Sequence, residues 1–228
     1  MRQFYARKHK RKKKRMLKKW ILVLMLMLGS TSQEAFSAIH KIPDTLVIEQ
    51  RELEKKVLEN PKSAEAHFEL AMNYAYTGWI EIAWEQLKQV PKHDKHYAKT
   101  VLKKYSEKVK KDPQNWKYHF KLAFGYYFED QKDLALASFQ KAHELNPEQP
   151  WIIGFISLLH GEKKDYTTAI KLAKKAIEIE PNGAALHFLL AQGYQKNGNY
   201  FGFLGEAMHV VRLKSAEAKY RPTAPKAE

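Results

Sequence analysis

Between residues 45 and 215 the apolar residues recur at helical spacing, and short polar stretches rich in Gly, Pro, Asn and Asp punctuate them. The pattern predicts helices near 45–59, 63–76, 80–90, 96–111, 114–128, 132–145, 149–162, 166–179, 183–197 and 200–215. Their short connections make neighbouring helices antiparallel pairs. The fold class expected is therefore all-α.

Prolines measure a repeat. Pro113, Pro147 and Pro181 stand 34 residues apart, and each closes a unit because proline cannot continue a helix but fits the first turn of the next. Between Pro113 and Pro147 lie Leu122, Ala123, Tyr126, Ala135, Phe139 and Ala142. The phrase His-Phe-x-Leu-Ala-x-x-Tyr occurs three times, from His67 to Tyr74, His119 to Tyr126 and His187 to Tyr194. In the unit after Pro147 the second half keeps the pattern with Tyr166, Ala169, Ala173 and Ala176, while the first half carries Ile156, Ser157 and His160 instead. A unit following Pro61 has Leu70, Ala71, Tyr74, Gly78, Ala83 and Leu87.

With this spacing and these residues the chain resembles the tetratricopeptide repeat (TPR) family over about residues 61–215. The resemblance implies an α-solenoid of antiparallel helix pairs, with about four repeats near 62–95, 114–147, 148–181 and 182–215. Small residues at Ala71, Ala123, Ser157 and Ala191 let helix backbones approach. One spacing departs from the rule. Pro61 to Pro113 is 52 residues, so an extra helix is expected near 96–111. Another precedes Pro61 near 45–59, and Lys56-Val57 there echoes Lys108-Val109. An odd helix reverses the direction of the next, so the array is expected to bend or divide near 91–96.

The resemblance also implies which positions face the groove. They carry Phe68, Met72 and Tyr76, then Phe120, Phe124, Tyr127 and Phe128, then Trp151 and Leu158, then Phe188, with Phe155 beside them. This aromatic row is the candidate binding site for another protein or peptide; the alternative is that an irregular superhelix or the terminal helices bury it as ordinary core. TPR domains that clamp carboxylate tails place Lys or Arg and Asn at two of these positions. Here those positions hold Phe68, Phe120, Gly154 and Phe188, and Met72, Phe124, Leu158 and Gln192, so that clamp is absent.

Ahead of the repeats, eleven Lys and Arg residues crowd residues 1–19 with no acidic residue. Nine apolar residues follow, Trp20 to Leu28, and then small and polar ones from Gly29. Basic, apolar, small is the order of a signal peptide, with cleavage expected after Ser37. The uncharged window, Trp20 to Gln33, spans about 21 Å as a helix against roughly 30 Å of hydrocarbon, so it is short for a membrane span. As an uncleaved anchor over 1–37 it would still export the body. Membrane contact is expected only through that segment. A tail without apolar period is expected over 219–228.

Charge changes the picture little. Of a formal net charge of +15, the first 19 residues supply +11, and the remaining 29 basic residues face 25 acidic ones. No nucleic-acid partner is expected for the mature domain. The alternative is an intracellular nucleic-acid-associated TPR protein using 1–19 as a basic arm. The chain has no cysteine, which excludes disulfides, thiolate zinc sites and thiol catalysis. No phosphate-binding loop, nucleophile elbow or His-Glu-x-x-His motif occurs, and the His93-Asp94-Lys95-His96 run lacks a third ligand nearby. Neither an enzyme nor a cofactor is expected.

Overall fold

A computed structural model describes residues 42–219. The expected leader over 1–37 lies outside the described residues, as does the expected tail beyond residue 219. The described residues form eleven helical elements and no strand: α1 (Asp44–Glu59), α2 (Ala64–Thr77), α3 (Ile80–Leu87), α4 (Val90–His93), α5 (Tyr97–Lys111), α6 (Trp116–Phe128), α7 (Lys132–Leu145), α8 (Pro150–Glu162), α9 (Tyr166–Ile179), α10 (Ala184–Lys196) and α11 (Tyr200–Glu217). The third helix stops at Leu87, short of the expected residue 90. Pro91 explains this, because its ring opposes the carbonyl four residues back, which is that of Leu87.

The repeat is legible in the backbone itself. Gly78, Asp130, Lys164 and Gly198 occupy the same turn in successive hairpins, and all four have positive φ, at 93°, 56°, 65° and 77°. After each, an amide reaches back five residues to the end of the preceding helix: Trp79 to Tyr74, Gln131 to Tyr126, Asp165 to His160 and Asn199 to Tyr194, each at 2.9 Å. These bonds satisfy carbonyls that a helix end leaves orphaned.

The recurring histidine is a second backbone device. His67, His119 and His187 each place Nε2 2.9–3.0 Å from the carbonyl of the proline six residues earlier, Pro61, Pro113 and Pro181. A carbonyl only accepts, so Nε2–H donates in all three. The histidine thus ties the inter-repeat turn to the first helix of its own repeat.

From α5 onward each helix packs on the next in an unbroken series through α11. The extra helix α5 takes the register of a second-in-repeat helix. A Cβ on Gly125 of α6 would meet Leu102 of α5 at 2.9 Å, and a Cβ on Gly193 of α10 would meet Ile170 of α9 at 2.8 Å. Leu102 and Ile170 are 68 residues apart, two repeat periods, so α5 supports α6 as α9 supports α10. The architecture is an all-α solenoid of antiparallel helix pairs.

The amino-terminal helices do not extend this series. The chain turns through α4, and α2 packs against α3, α4 and α8. Glu69 of α2 accepts from Lys104 at 2.9 Å, from Lys121 at 2.6 Å and from the Tyr105 hydroxyl, which fastens α2 to α5 and α6. Glu49 of α1 is paired with Lys117 of α6 and accepts from the Tyr76 hydroxyl. At the far end Glu81 of α3 pairs with Lys214 of α11. The Trp151 indole lies where a Cβ on Gly78 or Gly183 would stand, at 2.5 and 3.0 Å. The solenoid curls around its own first hairpin.

Candidate partner-binding groove

The aromatic row expected along the groove divides in two. Phe68, Met72, Tyr76 and Phe120 are buried to within 1% of complete, and Phe124 and Trp151 are also buried. The cause is the placement of α1–α3 on the face that these residues present. Tyr76 packs edge-on against Phe120, with centroids 5.6 Å apart, and against Trp116 at 5.3 Å. Phe68 meets Tyr97 and Tyr105 of α5. Phe120, Phe124, Phe139 and Phe155 form one cluster, with Phe139 and Phe155 stacked at 5.5 Å. Phe68, Met72, Tyr76, Phe120 and Trp151 are therefore core, although Tyr76 and Trp151 also border a second cavity of about 540 Å³ with Ile42, Asn146 and Gln149. For these residues the alternative of burial as ordinary core holds, because the chain covers them with its own first hairpin.

A cavity of about 240 Å³ stays open between α3 and helices α6 to α8. From the expected row, Phe124, Tyr127, Phe155 and Leu158 line it, and α3 contributes Ile80, Ala83, Trp84 and Leu87. Phe128 and Phe188 are on the surface, outside this lining. Trp84 is 54% exposed, an unusual position for a large aromatic side chain in a stable hairpin. The groove positions expected from the sequence lie on the first helix of each repeat, and the α3 wall is not among them. The signal was present in Trp84, which stands where α7 and α9 carry Leu136 and Ile170, the position a second helix uses to seat its neighbour.

Polar groups mark one edge of the cavity. The Tyr127 hydroxyl donates to Glu162 at 2.8 Å, and Lys132 pairs with the same carboxylate at 3.0 Å. Burial and the Glu162 charge push the Tyr127 hydroxyl up to about 12, so it stays a donor at any physiological pH. An apolar recess with a few fixed polar groups at its edge is the usual form of a recognition pocket.

Elsewhere the titratable side chains serve the fold. Burial alone would raise the Glu69 carboxyl, but the Lys121 charge and hydrogen bonds from Lys104, Lys121 and Tyr105 outweigh it and hold the group at about 2. His93 stacks on His67 with centroids 5.5 Å apart. Among the described residues no group of three or more His, Asp or Glu is placed to hold a metal ion.

Helix packing and the repeated turns together define a helical-repeat solenoid. Solved structures similar to this chain include MamA, at 19% identity over 75% of this chain and 90% of that one, with a TM-score of 0.46. A MamA RS-1 double mutant matches at 12% identity over 85% and 96%, with a TM-score of 0.48, and yeast Tom70 at 16% over 76% and 40%, with 0.44. The fold assignment rests on the repeated turns and helix contacts described above rather than on these likenesses. No protein-family model matches the chain, and no curated protein matches it.

Proposed function

We propose that the chain is an exported, non-catalytic scaffold whose partner is another protein, held by an apolar side chain inserted between α3 and α6–α8. The observation that carries this reading is Trp84, exposed at the rim of an otherwise apolar recess continuous with the Phe124–Phe155 cluster. A rigid aromatic at the mouth of a desolvated pocket is the kind of group that dominates interface energies, at about 2 kcal/mol or more on truncation. Export is supported by the basic, apolar and small segments of residues 1–37. The near balance of charge after residue 19 supports a protein rather than a nucleic-acid partner. The absence of a catalytic motif in the sequence supports a binding role.

The decisive comparison is partner recovery by the wild-type chain and by Trp84→Lys from the same extract. The variant should lose roughly thirtyfold in affinity with an unchanged melting temperature. Equal recovery would remove the recess from consideration. Export is tested by the first residue of the mature protein, expected near Ala38; a cytoplasmic protein retaining Met1 would overturn it.

A further inference from the structure

The last helix carries an apolar face that the rest of the chain does not cover within the described residues. On α11, Phe201 is 92% exposed, and Tyr200, Leu204, Met208 and Val211 are exposed as well. At 100° per residue they fall within one arc of about 100°. The only other residue there before the last turn of the helix is Ser215, so the arc is uncharged from 200 to 215. The opposite side of the same helix is occupied. Val210 and Leu213 are buried, and Glu206 binds His187 of α10 at 2.6 Å.

The chain's own repeats act as controls. One period earlier, on α9, Leu204 and Val211 correspond to Ile170 and Ile177, half-buried residues, and Ile170 packs on α10. Two periods earlier, on α7, they correspond to Leu136 and His143, also half-buried. Half-buried residues there are what a repeat uses to seat the next helix. Phe201 and Met208 differ. Their counterparts are Thr167 and Lys174 on α9 and Asp133 and Gln140 on α7, all exposed and polar. The stripe on α11 is therefore wider than stacking one more repeat requires. Two positions that face water elsewhere have become large and apolar.

We propose that this face pairs with the same face of a second copy, α11 against α11 in antiparallel orientation. The stripe is symmetric about residue 206: Phe201 would oppose Val211, and Leu204 would oppose Met208, so a two-fold axis sets apolar groups on apolar groups at both ends. The pairing brings no like charges together. Gly205, where a Cβ would meet nothing within 4 Å, leaves room at the edge for the opposing helix. Two such faces cover on the order of 1,200 Å² together, the lower end of what specific interfaces bury. This surface is separate from the Trp84 recess, so either can fail without the other.

The chain lacks cysteine, so a single introduced thiol reports alone. Full-length Leu204→Cys, treated in intact cells with a short bis-maleimide, should give a covalent dimer of two differently tagged copies, whereas Thr167→Cys should not. In the Leu204→Cys background, Phe201→Thr with Met208→Lys restores the residues that α9 carries. It should cut the dimer at least tenfold while helical circular dichroism and melting temperature stay the same. The proposal is overturned by a wild-type chain that is monomeric, whether its stripe is taken by its own residues 20–28 or by lipid. It is equally overturned by a cross-link to a different protein, or by dimers indifferent to the paired substitution.

Discussion

The phrase His-Phe-x-Leu-Ala-x-x-Tyr occurs three times, yet its phenylalanine meets two different fates. Phe68 and Phe120 are fully buried, while Phe188 is 49% exposed. The histidine one residue earlier behaves alike in all three copies, donating to its proline carbonyl at 2.9–3.0 Å. The histidine bond closes over six residues and is set locally. The burial of the phenylalanine depends on helices from elsewhere. In the amino-terminal half α1–α3 lie against the presented face, and at α10 no helix among the described residues does. Identical local sequence fixes the hairpin, whereas its neighbours decide whether an aromatic side chain is core or surface.

That comparison can be broken experimentally. Phe120→Ala removes the ring at the centre of the contacts with Tyr76, Phe124, Phe139 and Phe155, so it should cost about 3–5 kcal/mol by denaturant titration. If it behaved like a surface change, the packing of α2 inside the curl would be wrong.

Acid should undo the same region next. The Glu69 carboxyl sits at about 2 in the fold against an ordinary 4.5, so its contribution is fully present above 4.5 and is lost as pH falls towards 2. The loss amounts to about 3 kcal/mol. Glu69→Gln should flatten the stability profile across that window, and an unchanged profile would show that the α2–α5–α6 cluster does not hold the first hairpin.

Smaller effects probe the repeat itself. Ala123 is fully buried where helices touch, so Ala123→Leu should overpack the junction by roughly 1–3 kcal/mol, read as a lowered melting temperature. Lys164 holds the left-handed turn position that Gly78 and Gly198 fill with glycine, so Lys164→Gly should relieve strain and gain up to about 1 kcal/mol. Phe188→Ala should cost less than about 1 kcal/mol, completing the contrast with Phe120. A loss as large as that of Phe120→Ala would mean that Phe188 is covered in solution.

The sequence by itself determined the helices, the 34-residue repeat and the extra helix before Pro113, because turns, caps and apolar period are local properties read over a few residues. It also marked Phe124, Tyr127, Phe155 and Leu158, which do line the open recess. Only the tertiary structure decided that Phe68, Met72, Tyr76, Phe120 and Trp151 are core and that Trp84 forms the other wall of the recess. The reason is the return of α1–α3 into the curl of the solenoid. That path is fixed by contacts such as Glu69 with Lys121, Glu81 with Lys214 and Gly78 with Trp151, which join residues 52 to 133 positions apart and leave no periodic trace in the chain.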